Sequence, residues 1–153
     1  MNSSEIYLFD STAGGFTTDR IPWKDKKNNL VKNEYIRIKE DGFYFLYGQV
    51  TLQSASKTST TVKIIKEVGK DDKELVVEGS IGVGSLSTGF IGKILRLEAD
   101  SNISMSCSNH HLIKTNKNDN FVTFMGIYRL NKFWLSAPVL WGMGLEDVKP
   151  PVH

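Results

Sequence analysis

The chain has 153 residues, 40% hydrophobic and 24% charged, which suits one compact domain able to bury a core without metals or disulfides. Nineteen basic residues against 17 acidic ones leave a net charge of +2 spread along the chain. That balance gives no basis for expecting nucleic acid or an anionic membrane surface as a partner, and the cluster Lys24, Lys26, Lys27 reads as a solvated loop.

In chain order, the first 30 residues read as a weak strand followed by a long loop centred on Ala13-Gly14-Gly15. Short runs rich in Val, Ile, Thr, Tyr and Phe then predict strands over 35–38, 43–52, 61–68, 74–79, 90–97, 103–107 and 121–130. Turn signals separate them at Glu40-Asp41-Gly42, Gly69-Lys70-Asp71-Asp72, Ala99-Asp100-Ser101-Asn102 and 115–120. The pattern predicts an all-β antiparallel sandwich or barrel over residues 1–130, with no repeat and no helical periodicity. Residues 131–153 change character. They hold two of the three tryptophans and three of the four prolines, so they predict an irregular extension docked through Phe133, Trp134, Leu135, Leu140 and Trp141.

No apolar run approaches the ~20 residues needed to cross a bilayer, and no signal-peptide pattern follows Met1. The lone Cys107 suits a cytosolic or a secreted domain. Two sequons, at Asn2 and Asn102, are candidate glycosylation sites and lean towards the secretory route.

Strand faces carry more information. A half-buried strand should alternate apolar and polar residues. In 43–52, Tyr44, Leu46, Val50 and Leu52 occupy one face, yet Phe43, Phe45 and Tyr47 occupy the other. In the last strand Met125 and Ile127 can face a core, while Phe124, Tyr128 and Leu130 point away around Gly126. The run 90–97 is also apolar on both faces. A single copy would therefore expose an aromatic patch drawn from three strands, which implies an interface in a symmetric oligomer. The pattern alone leaves open that the rest of the same chain, tail included, covers these strands.

At these residues the sequence resembles the tumour necrosis factor superfamily. The family's glycine–aromatic–tyrosine strand is matched by Gly42-Phe43-Tyr44-Phe45-Leu46-Tyr47-Gly48-Gln49-Val50. A second block resembles Phe90-Ile91-Gly92-Lys93-Ile94-Leu95-Arg96-Leu97-Glu98-Ala99-Asp100, and a third Phe124-Met125-Gly126-Ile127. Pro22-Trp23 also matches some members. The missing disulfide and the Tyr47-Gly48-Gln49-Val50 version look most like the branch containing the glucocorticoid-induced receptor's ligand. The resemblance implies a two-sheet jelly roll assembling as a homotrimer, with Tyr47, Phe90 and Phe124 lining the threefold axis and Leu95 and Leu130 beside them. It also implies receptor contact on loops, with Lys70, Asp71, Asp72 and Lys73 as one candidate set and Phe16 to Arg20 as another. Lys93 replaces a glycine of the family pattern, Ala99 replaces the turn glycine, and residues 131–153 exceed the family's usual end.

Catalytic and metal readings find little support in the sequence. Alternation puts Cys107 beside Ile103 and Met105 as a small core residue. One family member holds zinc through an axial cysteine, but this chain has none at that position. His110 and His111 read as an exposed loop pair without the further ligands zinc needs. No serine stands in a nucleophile elbow, adjacent Asp71 and Asp72 point apart, and the glycine-rich 79–92 lacks a phosphate-loop lysine. The expectation is a non-enzymatic extracellular ligand that clusters receptors of the tumour necrosis factor receptor superfamily, with no cofactor, metal or nucleic-acid partner. Its tether would be an upstream transmembrane segment. A complement-type globular head and a sugar-binding jelly roll are the rival readings.

Overall fold

The computed structural model describes residues 4–9, 19–24, 34–84, 88–114 and 122–130. The expectations placed on Asn2, Phe16, the 115–120 turn and the 131–153 extension lie outside the described residues.

Strands β1 (Ser4–Phe9), β2 (Trp23–Lys24), β3 (Ile36–Arg37), β4 (Gly42–Thr51) and β5 (Thr60–Val68) come first. They are followed by β6 (Asp72–Ile81), β7 (Thr88–Leu97), β8 (Asn102–Cys107) and β9 (Phe124–Leu130). All pair antiparallel into two sheets, one ordered β2-β1-β9-β4-β7 and the other β3-β8-β5-β6. This is the jelly-roll sandwich expected of the sequence. A 3-10 turn, His110–Leu112, follows β8, and among the described residues no helix is long and apolar enough to cross a membrane.

The core lies between the sheets because each strand turns its alternate apolar residues inward. On β4 these are Tyr44, Leu46 and Val50; on β8, Ile103, Met105 and Cys107; on β9, Met125 and Ile127. Burying a large apolar side chain completely is worth about 1.5–3 kcal/mol, so this shared interior dominates the stability. Ile21 and Trp23 are almost fully buried as well, so the short segment around β2 belongs to the core.

Two local features differ from the sequence expectation. The segment Gly69-Lys70-Asp71-Asp72-Lys73 is not wholly a loop, since Asp72 and Lys73 already belong to β6, opposite Val68 and Glu67. The turn after β7 has no glycine at its left-handed position. Asp100 takes it with φ 71°, a conformation aspartate tolerates better than most residues. The Asp41 carboxylate accepts a hydrogen bond from the Ala99 N–H at 2.7 Å, and Arg37 pairs with Asp100, which fixes the turn from two sides.

Candidate functional site

The outward face of the five-stranded sheet carries the aromatic residues that alternation left without a partner. Cross-strand register sets Phe43 opposite Leu130, Phe45 opposite Tyr128 and Gln49 opposite Phe124. On the other side of β4, Gln49 also faces Phe90 and Phe45 faces Ile94. The rings form one cluster. Phe45 and Tyr47 stack at 4.9 Å between centroids, and Tyr47 meets Phe90 at 6.2 Å and Phe124 edge-on at 6.3 Å. Such geometries add about 0.5–1.5 kcal/mol per pair beyond the area they bury.

Glycines make this cluster possible. Tyr47 is flanked by Gly126 on β9 and Gly92 on β7. The Tyr47 ring occupies the place a Cβ at position 126 would take, and the Phe45 ring lies 2.9 Å from where one at position 92 would stand. Larger residues there would push both rings off the sheet. The cluster remains open in the single chain. Phe90 is 57% exposed, and Phe43, Phe45, Tyr47, Phe124, Tyr128 and Leu130 are only half-buried. Ile6 and Leu8 extend the same face from β1, opposite Gly126 and Phe124, a contribution the weak patterning of the first residues did not reveal.

Leu95 requires a correction. It pairs with Tyr44, whose side chain points into the core, so Leu95 shares the inner face and packs against the core cluster. Ile94 takes the outward position expected of it, because faces alternate residue by residue along β7.

A second surface forms on the outer side of the four-stranded sheet. Here Arg20 and Lys73, from two separately expected loops, converge on a single atom, the Glu67 Oε1, at 3.6 and 3.5 Å. The Tyr35 hydroxyl donates to the same oxygen at 3.4 Å, and the Arg20 guanidinium lies 4.7 Å above the Tyr35 ring. Burial pushes the Tyr35 hydroxyl above its usual pKa, with Arg20 opposing that shift. Arg20 is not on a free loop, since it bridges to Ser106 on β8 and is half-buried. Lys70, Asp71 and Asp72 stand exposed at the neighbouring turn. Beside them Leu75, opposite Ile65, is 52% exposed and Val68 41% exposed. Sequence reasoning missed Glu67, Tyr35 and Leu75, because alternation assigns faces but not which strands become neighbours.

Asn102 sits on β8 between Arg37 of β3 and Glu67 of β5, so the second sequon lies at the edge of this surface. The Ser104 of that sequon is fully buried. Cys107 is fully buried too, and burial, reinforced by Asp19, pushes its thiol up to about 12, which leaves no nucleophilic thiolate at neutral pH. His110 is half-buried rather than exposed, with Nδ1 3.3 Å from Asp19, while His111 is exposed. Among the described residues no three His, Cys, Asp or Glu side chains gather to hold a metal ion.

Residues 18–130 match the family model described as the tumour necrosis factor family. No curated protein matches the chain as a relative.

Proposed function

We propose that this chain, which belongs to the tumour necrosis factor family, is the receptor-binding domain of an extracellular ligand that acts as a homotrimer. Members of the family are non-enzymatic cytokine ligands, and binding alone would carry the signal. The observation that supports trimerisation is the open aromatic face on the five-stranded sheet, with Tyr47 between Phe90 and Phe124. A patch of this kind, repeated on every copy, is removed from water by closed rotational symmetry without leaving an unmatched surface.

Receptor contact is assigned to the other sheet. Arg20 and Lys73 meet at Glu67, near the exposed Lys70-Asp71 turn and Asp72 at the start of β6, with exposed Leu75 and Val68 on the same strands. Mixed charged and apolar groups with partly open side chains suit a rim-and-anchor interface. Each receptor would lie in the groove between two neighbouring subunits, so one trimer clusters several receptors. The ligand branch named for the glucocorticoid-induced receptor is the nearest assignment, supported by Tyr47-Gly48-Gln49-Val50 and by a single cysteine that cannot form an intrachain disulfide. An upstream membrane tether, or a form shed from it, completes the reading.

Sedimentation equilibrium tests the assembly. Three times the 17.2 kDa chain mass is expected, and a monomer at micromolar concentration overturns it. Capture of receptors from a cell-surface preparation tests the second half. Recovery of a tumour necrosis factor receptor superfamily member supports it, and recovery of glycans alone does not.

A further inference from the structure

At the end of the sandwich where β4 begins and β9 ends lies a cleft of about 600 Å³. It opens between β1, β4 and β9 of one sheet and the segment around β3 of the other. Its floor is apolar, made of Ile36, Ile38, Tyr44 and Ile127, all of them also part of the buried core. Charged side chains, among them Arg37 and Arg129, stand around it.

Apart from the exposed Lys39, the polar side chains lining the cleft already have partners among the described residues. The Tyr44 hydroxyl donates to the Glu40 carbonyl oxygen at 2.6 Å, and the Tyr7 hydroxyl donates to Glu5. Arg129 binds the Glu40 carboxylate and donates to the Asp41 carbonyl oxygen at 3.0 Å, while Arg37 is paired with Asp100. An anionic ligand would meet only the Lys39 ammonium without breaking these pairs, a single exposed charge. An apolar occupant would need only to cover the floor.

Such a segment follows the cleft closely in sequence. Arg129 lines it, β9 ends at Leu130, and the sequence continues through Phe133, Trp134 and Leu135. Even fully extended, the chain from Arg129 to Leu135 spans at most roughly 22 Å, so these side chains stay within short reach of the floor. A tether of that length raises their local concentration far above that of any free ligand. The geometry points to the Phe133-Trp134-Leu135 segment of the same chain as the occupant of this cleft. The cleft would then be a built-in seat for the extension, closing the end of the sandwich, and not a site for a diffusible ligand.

Photocrosslinking of the full chain tests this. Benzoylphenylalanine placed at Tyr7 or Tyr35, both half-buried on the cleft wall, should crosslink within one chain to the peptide containing Trp134. A crosslink to another copy, which doubles the chain mass on a denaturing gel, to any other segment, or to nothing overturns the proposal. A second measurement avoids dependence on the crosslinker. With 5-fluorotryptophan incorporated, the Trp134 fluorine resonance, assigned through Trp134→Phe, should resist broadening by a soluble gadolinium chelate. Broadening as strong as in the urea-unfolded chain overturns the assignment.

Discussion

The ring of Tyr47 on β4 lies where a side chain at position 126 on the neighbouring β9 would have to be. Even one methyl group at Gly126 must displace that ring. Gly126→Ala is therefore expected to destabilise the domain by about 1–3 kcal/mol, the usual range for overpacking. Combining it with Tyr47→Ala should recover part of the loss. Urea unfolding of the two single variants and the double variant checks this, and simple additivity would show that ring and glycine are not in conflict.

Phe90 separates assembly from folding. It is 57% exposed in the single chain, so Phe90→Asp should leave the β-sheet circular dichroism at 25 °C unchanged. In the proposed trimer the same change buries a carboxylate near each copy's counterpart, which carries a large desolvation cost. Sedimentation velocity is expected to show loss of the trimer. Tyr47→Asp and Phe124→Asp should act in the same direction, with an added cost to the fold from their ring contacts.

Arg20 and Lys73 share one carboxylate oxygen, so their substitutions should not behave independently. In binding to receptor-bearing cells, the loss caused by Arg20→Ala with Lys73→Ala is expected to depart from the sum of the single losses by about 0.5 kcal/mol or more. Additive losses would place the two residues in separate contacts. No change in either single variant would move the receptor surface elsewhere.

Cys107 sets an alkaline limit. Its thiol rises from an ordinary value of 9.0 to about 12 in the folded chain, chiefly through burial. The unfolded chain thus loses this proton first, and folded-state stability is fully present below pH 9 and falls as pH rises towards 12. The slope is roughly 1.4 kcal/mol per pH unit for one such group. Cys107→Ala should flatten this decline in denaturant midpoints measured between pH 8 and 11, leaving the part due to tyrosines such as Tyr44, whose hydroxyl is also raised by burial.

Much of the fold was legible because period-two patterning is strong wherever a strand has one buried face. The strands from β4 to β8 begin and end within about two residues of their sequence limits, and the inward set Tyr44, Leu46, Val50 is the buried set. β1 and β2 were less legible: a six-residue strand and a two-residue strand offer few alternations to count. Leu95 was misplaced because position was carried over from the family pattern. Counting in twos from Phe90 reaches Gly92 and Ile94 and steps over Leu95. The convergence of Arg20, Tyr35 and Lys73 on Glu67 had no sequence signal at all, because it depends on which distant strands become neighbours.

The position of β9 has a consequence for synthesis. It is the last strand described, yet it occupies the middle of its sheet, between β1 and β4. Until it leaves the ribosome, β1 and β4 each present an open edge, and the hydrophobic interior lacks Met125 and Ile127. A nascent chain carrying only the first eight strands is thus held in a sticky, unfinished state, open to pairing with other chains. Completion of this sheet must then wait for β9 and is slowed by bringing β1 and β9, far apart in sequence, together. Truncations ahead of Phe124 are therefore expected to collect as aggregates and not as smaller working domains.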